Sequence, residues 1–151
     1  MANRVELSLV QPLFESLQKE RFVTIASIDF ETSGPNVTAI SWVYAPSEGV
    51  ITFAIDTRSR IVQNIQHNPL VVMTMFANES TYAISGNARV KKEKLENVPL
   101  QLTLIEVTIN EVRDVMFYGS KISIEPKYEK TYDEAAAAKL DNQVMEAMRN
   151  A

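Results

Sequence analysis

Apolar residues recur along this chain with two periods, and the change from one to the other marks its elements. Val10, Leu13, Phe14 and Leu17 fall at i, i+3, i+4 and i+7, an apolar stripe that predicts a helix over about residues 8–20. Ser8 with Gln11 has the spacing of a capping pair, and Pro12 is tolerated in a first helical turn. From residue 22 the period falls to two. Residues 22–29, 37–44 and 50–55 read as short strands separated by the turn clusters Thr32-Ser33-Gly34-Pro35 and Pro46-Ser47-Glu48-Gly49, which predicts an antiparallel meander.

A short helix over residues 57–67 interrupts the strands. Its apolar face is Ile61, Val62 and Ile65, its polar face Gln63, Asn64, Gln66 and His67, and Asn68-Pro69 ends it. Residues 70–76 form a continuous apolar run rich in β-branched residues, which predicts a buried central strand. Residues 80–90 alternate again, and Gly86 within them marks a bulge or a close backbone approach. Charges of both signs make 91–99 a solvated connection. Residues 100–107 and 108–118 supply one or two further strands, and 119–126 a loop. Thr131 with Glu134 reads as a capping box for a last helix over about 132–149, striped by Ala137, Leu140, Val144 and Met148. The pattern is mainly β: one domain over 1–151, with a small closed or half-closed barrel over about 21–125 and a helix at each end.

Composition narrows the function classes. A net charge of −4 argues against a nucleic-acid partner. No apolar run reaches the roughly 18 residues of a membrane-spanning helix, so no membrane partner is expected. With Glu6, Gln11 and Glu15 breaking any signal-peptide pattern, the expected compartment is the cytoplasm. There is no cysteine, which removes disulfides and thiolate chemistry, and a single histidine argues against a zinc site. His67, next to the end of its helix, reads as structural. Trp42 reads as core or interface, and Phe117 and Tyr118 as core with a ring-stacking alternative.

One cluster points to chemistry. Arg58, Ser59 and Arg60 stand at the first turn of the 57–67 helix, where unpaired N–H groups and the positive dipole end favour an anion. Arginine matches phosphate oxygens in pairs, and the serine hydroxyl adds a donor without charge. The residues alone favour the plainer reading, ordinary surface residues at the start of a helix capped by Asp56 or Thr57, and Asp56 would compete with a phosphate for the helix start.

The order of these parts resembles the FMN-binding split β-barrels of the pyridoxamine 5′-phosphate oxidase-like superfamily. The residues that carry the resemblance are Ser59-Arg60 after a strand ending at Ile55, then Asn64-Ile65 and Asn68-Pro69, with the Gly34-Pro35 turn and Trp42 before them and Gly86 and Ala88 after. Together they span about residues 20–118. The resemblance implies a homodimer holding FMN in clefts between subunits. It places the phosphate at Arg58, Ser59 and Arg60, the ring against Thr38, Ala39, Ile40 and Ser41, and further contacts at Ser80 and Thr81. Ala39 and Ser41 are small enough to let a flat ring reach backbone groups. Two positions depart from the oxidases that act on pyridoxamine phosphate: Ile61 stands where they carry a lysine after the serine-arginine pair, and Thr38 where they carry an arginine. The expectation is therefore an FMN-binding protein, a flavin-dependent oxidoreductase of unnamed substrate rather than a vitamin B6 oxidase. The alternative is a non-catalytic split-barrel dimer serving as a ligand-binding or stress-associated module.

Overall fold

The computed structural model describes residues 4–151. Its elements are β1 (Val5–Glu6), α1 (Gln11–Ser16), β2 (Val23–Ile28), β3 (Pro35–Ile40), β4 (Val43–Ser47), β5 (Val50–Asp56), α2 (Arg60–His67), β6 (Leu70–Ala77), β7 (Ser80–Lys92), β8 (Leu102–Asp114) and α3 (Glu134–Arg149). The strands form one antiparallel sheet in the order β3-β2-β6-β7-β8-β5-β4, with β1 added to β8. Because β3 and β4 stand at opposite ends of that path, the sheet curls without closing. It is a split barrel.

Four expectations need correcting. The first helix starts at Gln11, not near residue 8, and Val10 rather than Ser8 precedes it without a side-chain cap bond. A proline ring collides with the carbonyl four residues earlier, so no helix can extend a full turn upstream of Pro12. Upstream, Val5 and Glu6 pair with β8 instead. Residues 37–44 are two strands, not one. The chain turns at Ser41-Trp42, where the Ser41 carbonyl accepts both the Arg21 N–H (2.9 Å) and the Val43 N–H (3.0 Å). β3 then pairs with β2 and β4 with β5, so the first three strands are not a meander.

The run 70–76 is central but buried on one face only. Val71, Met73 and Met75 point into the core while Leu70 and Val72 are exposed, because the other side of β6 belongs to the open face of the sheet. Finally, Asp133, not Thr131, caps α3, its carboxylate accepting the Ala136 N–H at 2.8 Å. A charged acceptor at a helix N-terminus is favoured by the dipole as well as by the hydrogen bond.

The main core lies between the inward faces of β2, β5, β6, β7 and β8 and the apolar sides of α1 and α2. A second core forms under α3, where Val144, Met145 and Met148 cover Ala54, Leu102 and Leu104. The helix packs on its own barrel. Trp42 belongs to this second core and donates its indole N–H to Asp141 at 2.9 Å, which ties α3 to the turn following β3.

Gly86 does what its place in the strand pattern requires. The β7–β8 register shifts between Ser85 and Gly86, and a Cβ built there would lie 2.5 Å from the Thr108 carbonyl oxygen and 2.6 Å from Val107 Cγ1. Gly86→Ala must push two strands apart. The expected cost is about 1–3 kcal/mol, read as a lowered melting temperature in calorimetry; an unchanged melting temperature would show that the bulge relaxes freely.

Candidate functional site

The chain leaves β5 at Asp56 and enters α2 through Thr57, Arg58 and Ser59. Thr57 is pinned to the start of β8 by its N–H to the Gln101 carbonyl (3.1 Å) and by a hydroxyl contact with Thr103 (3.0 Å). Ser59 is extended (φ −62°, ψ 140°) and occupies the cap position, yet its hydroxyl makes no capping bond. In the first turn of α2 the Val62 N–H turns back to the Ser59 carbonyl at 3.1 Å, and the N–H groups of Arg60 and Ile61 precede it without a side-chain cap. The corner offers backbone N–H donors and one unused hydroxyl.

Its two cations are already engaged. Asp56 accepts the Arg58 N–H (2.8 Å), Nε (3.2 Å) and a terminal guanidinium nitrogen (3.1 Å). That pairing lies in solvent, with the Arg58 side chain 88% exposed, so it is worth little and opens easily. It still holds the Asp56 carboxyl below the usual carboxylate range.

Arg60 is held more firmly. It donates from Nε to Asp29 Oδ1 at 2.5 Å, and from a terminal nitrogen to Asp29 Oδ2 at 3.2 Å and Glu31 at 3.1 Å. Its guanidinium also lies over the Phe30 ring, 4.5 Å from the centroid. Asp29 continues the inward alternation of Val23, Ile25 and Ser27 and is only 4% exposed. Its second oxygen also accepts the N–H groups of Glu31 (3.0 Å) and Thr32 (2.8 Å). The Arg60 guanidinium, helped by the Thr32 N–H, holds the Asp29 carboxyl well below the ordinary range, and the same pairing pushes Arg60 upward. Within this corner two arginines face three carboxylates.

Asn64, which the sequence pattern assigns to a polar outer face, is fully buried. Its amide nitrogen donates to Ser27 Oγ (3.0 Å) and Asn36 Oδ1 (2.9 Å), and its oxygen accepts the Phe30 N–H (3.0 Å). The helix side chain satisfies polar groups on β2, on β3 and in the turn between them. On the outer side His67 accompanies Phe30, ring to ring at 5.4 Å, and its Nδ1 lies 2.9 Å from the Gln63 carbonyl.

β3 is an edge strand, and its register decides which backbone groups are free. The Asp29 N–H donates to the Gly34 carbonyl at 2.7 Å, and the pairing continues through Ile25–Thr38 and Val23–Ile40. Hydrogen-bonded pairs alternate in an antiparallel ladder, so Thr38 and Ile40 bond to β2 while the N–H and C=O of Val37 and Ala39 face the open edge. Thr38 and Ile40 share the inward face, and Ile40 packs against the core. Ala39 shares the outward face with its neighbours Thr24, Thr74 and Ala83, a smooth strip of small side chains. Ser41 follows at the strand end, with its carbonyl committed to Arg21 and Val43.

Ser80 and Thr81 lie elsewhere. Ser80 is buried and donates to Asp114 at 2.7 Å, and Thr81 neighbours Met116 through a 3.6 Å hydroxyl–sulfur contact. Thr74 pairs with Thr24 and Phe76 with Thr81, so Thr81 stands in the row of Phe22. That row is roughly 23 Å from Asp29 at 3.3 Å per residue. Within one chain Arg58, Ser59 and Arg60 stand near the Asp29 end of β3, Ser80 and Thr81 at the far end of the sheet, and Thr38, Ala39 and Ile40 run along the edge toward that far end, Ile40 one row from Phe22. Phe117 and Tyr118 are exposed rather than core.

The sequence profile of the pyridoxamine 5′-phosphate oxidase family matches residues 11–116. Among solved structures, a proposed pyridoxamine 5′-phosphate oxidase of Lactobacillus delbrueckii is similar at 16% identity and TM-score 0.62, over 74% of this chain and 98% of that one. HupZ of Group A Streptococcus is similar at 11% identity and TM-score 0.59, over 75% and 98%. An F420 reductase is similar at 19% identity and TM-score 0.54, over 66% and 95%. At these identities the likeness is one of fold. No curated protein matches the chain in sequence. Among the described residues no helix is long and apolar enough to cross a membrane.

The Asp29–Arg60 pair has a signature in acid. A carboxyl whose folded pKa lies below its unfolded value of about 3.9 adds stability that is fully present above that value and is lost as pH falls through the folded one. The melting temperature should therefore fall with acidification below about pH 4, and Asp29→Asn, lower at neutral pH, should show a shallower fall. Parallel curves for the two proteins would mean that Asp29 is not the group responsible.

Proposed function

Because the chain belongs to the pyridoxamine 5′-phosphate oxidase family, we propose that it binds a flavin, FMN, and serves as a flavin-dependent oxidoreductase. What supports this is the direct joining of a free strand edge to an uncapped helix start. Asn64 of α2 bonds Asn36 of β3, and Ala39 follows three residues further along the same edge. The open N–H and C=O of Val37 and Ala39 suit the pyrimidine edge of an isoalloxazine ring, and the small outward side chains around Ala39 admit its flat face. The Ser59 hydroxyl and the first N–H groups of α2 suit phosphate oxygens, with Arg58 as the cation that can leave its partner most easily. A bound FMN supplies hydride or electron transfer. The protein contributes orientation, hydrogen bonds to the ring and exclusion of water.

The reading includes a homodimer. Ser80 and Thr81 are too far from the helix start to meet the same ligand within one chain. A two-fold cleft brings one subunit's far end of the sheet to its partner's helix start, and the outward strip of small residues gives two copies a flat surface to share.

A second reading is favoured by the pairing of both arginines with carboxylates. It is a split-barrel dimer without firm cofactor binding that acts as a ligand-binding module. FMN titration separates the two. On the flavin reading, flavin absorbance stays with the protein through gel filtration and FMN raises the melting temperature. A colourless protein whose melting temperature ignores FMN would overturn it. Arg58→Ala should weaken FMN about threefold, in line with an exposed charge contact, and leave riboflavin unchanged. Equal losses for both ligands would put the phosphate elsewhere. Sedimentation should give twice the 17.0 kDa chain mass, and a monomer at working concentration contradicts the shared cleft.

A further inference from the structure

The residues that fit a flavin ring and those that face its phosphate do not agree. A phosphate at the start of α2 needs uncommitted positive charge, and the corner holds two arginines against Asp29, Glu31 and Asp56. The two arginines are not alike. Arg58 is bound to one exposed carboxylate two residues away. Arg60 is gripped at both ends of its guanidinium fork, stacked on Phe30 and paired with a carboxylate that is almost fully buried. Turning Arg60 toward a ligand would strand the Asp29 carboxylate, and an unpaired buried charge is costly. Asp29 would keep only its two backbone N–H donors. Glu31, exposed in the β2–β3 turn and 3.1 Å from the Arg60 guanidinium, adds a second negative charge that a phosphate dianion must approach.

We infer that Asp29 and Glu31 form a selectivity element that withholds Arg60 from ligand phosphate, so that this site holds a flavin by its ring and distinguishes weakly between the phosphorylated and unphosphorylated forms. Arg60 is a strut joining α2 to the β2–β3 turn, and the phosphate meets only Ser59, the helix N–H groups and Arg58. The ligand class follows from the site proposed above, whereas the withholding of Arg60 from phosphate can be tested without any flavin.

Two titrations on Glu31→Gln, Asp29→Asn and the double variant test this. In the first, FMN and riboflavin dissociation constants are measured by quenching of flavin fluorescence. The wild-type protein should favour FMN by less than about tenfold, and the double variant should raise that preference at least tenfold, about 1.4 kcal/mol, by strengthening FMN alone. Glu31 is exposed and holds no backbone group, so Glu31→Gln keeps the fold and carries the test if Asp29→Asn unfolds; its expected gain is about threefold. In the second, inorganic phosphate at millimolar concentration is followed by melting temperature at constant ionic strength. It should leave the wild-type protein unmoved and raise the melting temperature of Glu31→Gln or of the double variant. If no protein binds either flavin, the flavin reading fails and the phosphate titration alone decides the inference. A strong wild-type preference for FMN overturns it. So do variants whose FMN preference and phosphate response match wild type.

Discussion

A carboxylate on the inward face of a strand has to find a cation, and in this protein Asp29 finds Arg60. Much of the site geometry hangs on that pair. β2 ends where Asp29 stops the alternation of apolar residues, the turn folds back on the Asp29 oxygens, and β3 leaves the turn as a free edge. The same carboxylate fixes the first residue of α2, so the helix start and the strand edge are held by one group. Asn64, four residues along the same helix, repeats the connection with uncharged partners. Removing one partner of such a pair costs more than the pair is worth, because it leaves a buried charge behind.

That constraint shapes the chemistry available. A helix start with an unused serine hydroxyl attracts anions, but a corner with three carboxylates repels them. On the flavin proposal, such a site would depend on the ring end of its ligand, where the register leaves the backbone groups of Val37 and Ala39 free. This is a different division of binding energy from a site that anchors its cofactor by phosphate. It also fits a protein with Ile61 and Thr38 at two positions where a lysine and an arginine were looked for.

The places of most strands and of the helices are legible in the sequence: β2 and β7 alternate with period two, β6 is an apolar run bounded by turn residues, and Asn68-Pro69 closes α2 as the proline requires. The break at Ser41-Trp42 is not, since nothing local distinguishes a strand that bends from one that moves to the other end of a sheet. The nine candidate positions were chosen by likeness, and the structure separates them by distance, which no spacing rule encodes. Asp29 and Asn64 were passed over for opposite reasons. Asp29 reads in the sequence as the last residue of the 22–29 strand and nothing more, although its place on the buried side of that alternation alone demands a cation. Asn64 follows the polar positions of α2 by pattern, and only the fold reveals that Ser27, Asn36 and Phe30 wait on that side.

Amide chemical shifts of isotope-labelled protein, recorded as FMN is added, test most directly whether the helix start and the strand edge form one flavin site. The account predicts that the largest changes fall together at Val37, Ala39, Arg60 and Ile61, with a single binding curve. Changes at only one of the two places, or centred on residues remote from both, would contradict it.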